Sequence, residues 1–176
     1  TMLDDDVCVG ALLAVNPVGA VCDAQGTFWA QHLALDYEGV PEFGRADARS
    51  PHAGASHPLA ASKLTGLAVG ANTTVGVVAV AADLTPAECQ RVAIMAQDGL
   101  ARAIRPIHTP FDGDTIFVLA TGNRPLADEA ELRPLALAAL GALAADCVAR
   151  ATARAVWFAD DTVFAPAYRS RFPKVE

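Results

Sequence analysis

Residues 72–100 read NTTVGVVAVAADLTPAECQRVAIMAQDGL. Two kinds of local order meet in this stretch. Thr74 to Ala82 is a run of β-branched and small apolar residues of strand length. Both alternating faces are apolar, the pattern of a strand covered on two sides. A helix start follows. Thr85 is an N-cap, Pro86 takes the first helical position and Glu88 completes a capping box. Cys89, Val92, Ala93, Ala96, Leu100, Ala103 and Ile104 then recur at helical spacing, and Pro106 ends the element.

The flanking segments extend the pattern. VCVGALLAV (residues 7–15) is a first strand and DTIFVLATG (residues 114–122) a third. Asn16-Pro17 signals a turn, so VGAVC (residues 18–22) reads as a return strand. A second helix is expected beyond residue 127, with Asp128 and Glu131 as a capping box and an apolar centre that implies burial. Asp146, Arg150 and Arg154 mark one polar face of it at spacing four. The tail from Asp160 reads as irregular. The order β-β-β-α-β-α fits a layered α/β or α+β protein in one domain, residues 1–176. Strand-helix-strand alternation suggests parallel pairing, and the Asn16-Pro17 turn suggests antiparallel pairing in part of the sheet.

Residues 36–66 are different. They are rich in Gly, Pro, Ser, His and Ala and have no clear period. A long structureless loop inside a compact domain is uncommon unless functional. The segment therefore reads as a lid or a flexible connector.

Composition bounds the function. The 176 residues are 53% hydrophobic and 19% charged, with 13 basic against 20 acidic side chains and a net charge of −7. Such a chain fills a core, and its acidity argues against nucleic acid or an anionic membrane as partner. The apolar run Leu135 to Ala145 falls well short of the ~20 residues of a membrane helix. The four cysteines, Cys8, Cys22, Cys89 and Cys147, show neither a CxxC pair nor zinc-ligand spacing. A reduced, cytoplasmic setting without metal or other cofactor is the simpler reading. The stretch that begins Thr1-Met2 has no charged-then-apolar pattern, so no signal peptide is expected in it.

Three places carry candidate chemistry. At Asn72-Thr73-Thr74 a hydroxyl stands where a polar segment meets a buried strand. Threonine is a weak nucleophile unless a base adjoins it, and a Thr at a chain N-terminus carries its own base, the α-amine. That amine has an ordinary pKa of about 7.7–8.0, suited to general-base work. The plainer reading is the start of a β-branched strand. At Phe111-Asp112-Gly113-Asp114-Thr115, two carboxylates at i and i+2 of extended chain point to one side. They can orient an ammonium or a hydroxyl, or hold a cation; the plainer reading is a tight Asp-Gly turn. At Asn16, a side-chain amide at a strand end can donate to an oxyanion, or merely make an Asn-Pro turn. His108 adjoins the carboxylates, while His52 and His57 lack ligands at metal spacing.

Taken together, the stretch from GANTT (residues 70–74) through the helix end DGLARAIRP (98–106) to HTPFDGDT (108–115), with VGALLAVNPVGAV (9–21) upstream, resembles the DmpA-type peptidases, peptidase family S58. The resemblance implies a four-layer αββα sandwich of the type shared with ornithine acetyltransferases, here lacking its N-terminal part. It implies a self-processing N-terminal-nucleophile hydrolase of amide bonds. The precursor cut falls between Asn72 and Thr73, giving residues 1–72 as the end of an α chain and 73–176 as a β chain. Thr73 is then the nucleophile, its α-amine the base, Asn16 an oxyanion donor, and Asp112 and Asp114 the pair supporting the nucleophile. No metal is needed.

Threonine at position 73 beside Asp-Gly-Asp looks most like the nylon-oligomer (6-aminohexanoate) hydrolase branch. The substrate expected is a short peptide, an amino-acid amide or an amino-acid oligomer, and the expected assembly pairs α with β chains in a homo-oligomer. Two departures stand out. Family precursors are about twice this length, so the chain is expected to be the C-terminal part of a larger precursor. The segment between Asn16 and Thr73 is also longer and more polar than expected. Two alternatives stay open: an ornithine acetyltransferase-like acyl transferase, and a diverged member with a structural role alone.

Overall fold

The structure is a computed structural model that describes residues 7–37, 39–44, 62–63, 72–127, 129–163 and 165–173. Its centre is a three-stranded sheet of β1 (Val9–Asn16), β4 (Thr73–Val80) and β5 (Thr115–Ala120), in the order β1-β4-β5. Helix α1 (Pro86–Ala103) links β4 to β5, which run parallel, as a crossover connection requires. β1 pairs β4 antiparallel, from Val9↔Val80 to Asn16↔Thr73. Both modes of pairing suggested by the sequence are therefore present in one mixed sheet.

The antiparallel pair is not the expected hairpin. After Asn16-Pro17 the chain leaves the sheet, and residues 18–22 make only isolated bridges, Ala20 with Arg105 and Cys22 with Phe28. Gly19 explains the close approach at the first bridge. A Cβ on Gly19 would lie 2.0 Å from the Pro106 carbonyl oxygen. The partner that β1 takes is the distant β4, because the two apolar strands bury one face together.

α1 begins as its sequence dictates. Glu88 N–H donates to the Thr85 hydroxyl, Glu88 accepts from Thr85 N–H at 2.8 Å, and Pro86 sits in the first turn. Val92, Ala96, Leu100 and Ala103 are buried. Helix α2 (Arg133–Phe158) starts differently from expectation. Its N-cap is Leu132, with no side-chain cap; Glu131 lies in a preceding 3-10 turn, and Asp128 lies outside the described residues. Pro134 in its first turn removes an N–H that would need no intrahelical partner, which lessens the demand for a cap. By length and composition α2 could cross a bilayer. Here it packs on β1 and α1, and Leu140, Ala144, Val148 and Ala149 are fully buried.

The two helices meet through glycine. A Cβ on Gly99 would fall 2.2 Å from the Ala145 carbonyl oxygen, and one on Gly141 2.3 Å from Met95 Sδ. The tail is more ordered than its sequence suggests: α3 (Tyr168–Arg171) sets Tyr168 among Phe28, Trp157 and Phe172. Within the segment expected to be structureless, β2 (Asp36–Tyr37) and β3 (Val40–Pro41) form a small hairpin. Glu42, just beyond it, is buried and accepts from Arg150 at 2.8 Å and from Arg154 at 2.9 Å. These arginines, expected on a polar face of the helix, tie the residue after the hairpin to α2. Residues 45–61 and 64–71 lie outside the described residues.

The pleat divides the sheet into unlike faces. Thr74, Val78, Val80 and Ile116 point to α1 and α2 and are buried. Leu12, Val75, Phe117 and Leu119 lie on the opposite face, and Leu12 is 74% and Phe117 60% exposed. The sequence predicts cover on both faces; among the described residues the helices cover one.

Candidate active site

The site lies at the end of the sheet where β1 stops and β4 begins. Asn16 and Thr73 are direct partners across the antiparallel pair. Both belong to the face turned away from the helices, since the pleat alternates side chains. The same alternation separates the two threonines. Thr73 is half-buried on the open face, whereas Thr74 is fully buried in the core, its Oγ1 without a hydrogen-bond partner.

The Asn72-Thr73 peptide is tightly held. Asn72 is buried and bridges Asp112 in parallel fashion, three residues upstream of the first β4–β5 pair and in the same register. Its carbonyl oxygen accepts two hydrogen bonds, from the Thr73 hydroxyl at 2.6 Å and from Gly113 N–H at 3.1 Å. A main-chain N–H aimed at a carbonyl oxygen is the element from which oxyanion holes are built. Gly113 also leaves the room that the hydroxyl occupies, because a Cβ there would lie 2.9 Å from Thr73 Oγ1.

The two aspartates hold main chain around this peptide. Asp112 Oδ1 accepts Val18 N–H at 2.9 Å, and Oδ2 accepts Thr109 N–H at 3.0 Å and the Thr109 hydroxyl at 2.7 Å. Asp114 Oδ1 accepts Thr74 N–H at 2.7 Å, and Oδ2 faces His108 Nδ1 at 2.8 Å. The Asp114 side chain is 1% exposed, and these partners satisfy its buried oxygens. His108 adopts a left-handed backbone, φ 54°, an uncommon conformation outside glycine. Thus the carboxylates fasten both ends of the dipeptide's surroundings: Asp112 the turn after Asn16, Asp114 the amide after Thr73. The structure brings together Asn16, Asn72, Thr73, Asp112 and Asp114 from three separate places in the chain.

One residue at the site escaped the sequence reading. Lys63 Nζ donates to Asn16 Oδ1 at 2.7 Å, and Lys63 N–H donates to the Val18 carbonyl at 2.9 Å. Burial pulls the Lys63 ammonium below its ordinary pKa, and the neighbouring Asp112 charge opposes that. A signal did exist. Of 13 basic side chains only two are lysines, Lys63 and Lys174. Among the described residues, no group of three or more His, Cys, Asp or Glu side chains could hold a metal ion.

A hydroxyl on a strand end, touching the carbonyl before it and backed by a main-chain donor, is an arrangement that acyl transfer can use. The comparison with known families is specific: the model of peptidase family S58 matches residues 1–167, and the chain belongs to that family. It is 45% identical, over 97% of its length, to an uncharacterized aminopeptidase of Mycobacterium tuberculosis and covers 50% of that protein. It is 42% identical to an uncharacterized aminopeptidase of Mycobacterium leprae, over 97% of this chain and 46% of the relative. A more distant similarity, 28% over 66% of the chain and 30% of the relative, links it to the 6-aminohexanoate-oligomer endohydrolase of Paenarthrobacter ureafaciens. The chain spans about half the length of the mycobacterial relatives.

Proposed function

We propose that this chain is part of a self-processing N-terminal-nucleophile hydrolase that cleaves amide bonds in short peptides, amino-acid amides or amino-acid oligomers. The observation that carries the reading is the contact of the Thr73 hydroxyl with the Asn72 carbonyl oxygen, 2.6 Å, on a carbonyl also held by Gly113 N–H. In the first step Thr73 Oγ attacks the Asn72 carbonyl carbon. The C–N bond breaks, the amine nitrogen takes a proton in exchange for the one the hydroxyl loses, and Asn72 is left as an ester on Thr73. Water hydrolyses that ester. The products are a carboxylate at Asn72 and a new chain beginning at Thr73 with a free α-amine.

In the processed enzyme the α-amine accepts the hydroxyl proton while Thr73 Oγ attacks the substrate amide. Asn16, directly opposite Thr73, supplies a side-chain N–H to the oxyanion. The leaving amine takes the proton, and water releases the acyl group. Asp112 and Asp114 serve by fixing the main chain on each side of the nucleophile. The names of the mycobacterial relatives and of the oligomer endohydrolase support hydrolysis over acyl transfer to an amine. The exposed apolar face with Leu12, Phe117 and Leu119 supports a second sheet packed there, which completes a four-layer αββα sandwich in a longer polypeptide.

Denaturing electrophoresis with intact-mass measurement on the full-length protein tests the reading. Two chains are expected, the second beginning at Thr73, and Thr73→Ala should leave one. A wild type that stays intact yet hydrolyses amides would sink the mechanism. One that stays intact and inert would favour a structural role.

A further inference from the structure

We infer that His108 is a positioning residue: through Asp114 it holds the peptide by which the nucleophile hangs once the bond before it is cut. The inference rests on the function proposed above and adds what keeps Thr73 in place afterwards. Before the cut, Thr73 is held from both sides. Asn72 precedes it, and the Asn72 carbonyl accepts Gly113 N–H at 3.1 Å. Self-cleavage removes the covalent tie on that side. The covalent link that remains is the Thr73–Thr74 peptide. The directions in which the Thr73 hydroxyl and the new α-amine project therefore depend on the plane of that peptide. Asp114 Oδ1 accepts its N–H at 2.7 Å.

Asp114 is fixed in turn by His108. Its Oδ2 meets His108 Nδ1 at 2.8 Å, and its side chain is buried where the imidazole is 42% exposed. Beside a carboxylate, which only accepts, Nδ1 carries the hydrogen. A carboxylate bonded at one oxygen can swing about its terminal torsion, which is broad. Bonded at both oxygens, its plane is set, and with it the point at which Thr74 N–H is received. The backbone of His108 is itself in an unusual state. Its φ of 54° is left-handed, a conformation rare outside glycine that persists where surrounding contacts hold it. Two substitutions separate backbone from side chain. Glycine takes the left-handed conformation without strain and supplies no donor. Asparagine also tolerates it, and its Nδ2, like histidine Nδ1, is bonded to Cγ and carries hydrogen.

The test uses the full-length protein with His108→Gly and His108→Asn. It reads the rate of chain cleavage by intact mass, and turnover of whichever aminoacyl p-nitroanilide the wild type cleaves fastest. It also reads the Thr74 amide resonance in protein carrying nitrogen-labelled threonine, assigned through its loss in Thr74→Val. His108→Gly should lose about 10–100-fold in kcat, the scale on which a misplaced reacting group costs rate, with KM little changed. Its self-cleavage should slow far less, because Asn72 still holds Thr73 during that step. A variant that cuts itself has also folded at the site. The Thr74 amide should move upfield as its hydrogen bond loosens. His108→Asn should bring kcat and the resonance most of the way back. Equal slowing of cleavage and turnover would overturn the inference. So would a Thr74 amide unmoved in His108→Gly, or an asparagine variant no better than the glycine one. If the wild type stays uncut and inert while the amide responds as expected, the tether from His108 through Asp114 to Thr74 stands and the proposed function falls.

Discussion

The hydroxyl of Thr73 rests 2.6 Å from the carbonyl oxygen of Asn72, the residue immediately before it. The group proposed to attack already touches the oxygen of the carbonyl proposed to be attacked. Thr73→Ala is expected to stay as one chain, and Thr73→Ser to yield two. Intact mass after purification distinguishes them, and cleavage of Thr73→Ala at this bond would refute the assignment.

Gly113→Ala should slow self-cleavage with little loss of stability. The added Cβ would lie 2.9 Å from Thr73 Oγ1, and the hydroxyl can escape by rotating away from the Asn72 oxygen. Thermal melting should change by less than about 1 kcal/mol, a small effect among substitutions. A time course of chain cleavage by mass measurement checks the rate. Wild-type kinetics in this variant would show that the contact has no part in processing.

Gly99→Ala is expected to destabilise, although alanine is the better helix former by about 1 kcal/mol. The new methyl would meet the Ala145 carbonyl oxygen at 2.2 Å, and backbone cannot step aside cheaply. The cost should be about 1–3 kcal/mol, as for overpacked cores. Urea denaturation measures it, and a stabilised variant would contradict the close packing of α1 on α2.

Acid should weaken two ion pairs that fasten α2. The Arg133 guanidinium and Thr85 N–H hold Glu88 down from 4.5 to about 2. Burial raises the Glu42 carboxyl, but its bonds from Arg150 and Arg154 outweigh this and lower it. Both folded values lie below the unfolded ones. Their contribution is therefore complete above the ordinary carboxylate value and is lost as pH falls through the folded value. Melting temperature should drop as pH falls from 4.5 towards 2, and Glu88→Gln should show a shallower drop. At neutral pH Glu42→Gln should cost about 1.5–3 kcal/mol, as for a hydrogen bond to a charged group. Equal acid sensitivity of wild type and Glu88→Gln would count against the pairing.

Local signals made the β4-α1-β5 unit legible. The Thr85-Pro86-Glu88 start and the stripe from Val92 to Ile104 are written in neighbouring residues, and the structure follows them. The resemblance placed Asn16, Asn72, Thr73, Asp112 and Asp114 in one site, and the structure brings them together. What the sequence hid is long-range. The pairing of β1 with β4 joins residues separated by the whole segment from 17 to 72, and no local rule announces it. Lys63 lies in a stretch without period, so nothing near it in sequence points to Asn16. Arg150 and Arg154 read only as a polar face because their partner Glu42 is more than 100 residues away.

The pairing register of β1 with β4 does two jobs through one constraint. Side chains alternate strictly along a strand, so a slip of one residue would exchange the faces. Thr73 would turn toward the helices and the buried Thr74 would come to the open face, while Val78 and Val80 would leave the core. A misregistered sheet would therefore lose its apolar side and turn away the hydroxyl proposed as nucleophile in the same event. Hydrophobic burial thereby acts as a proofreader of register: a chain that folds stably has, by that fact alone, put Thr73 rather than Thr74 on the open face.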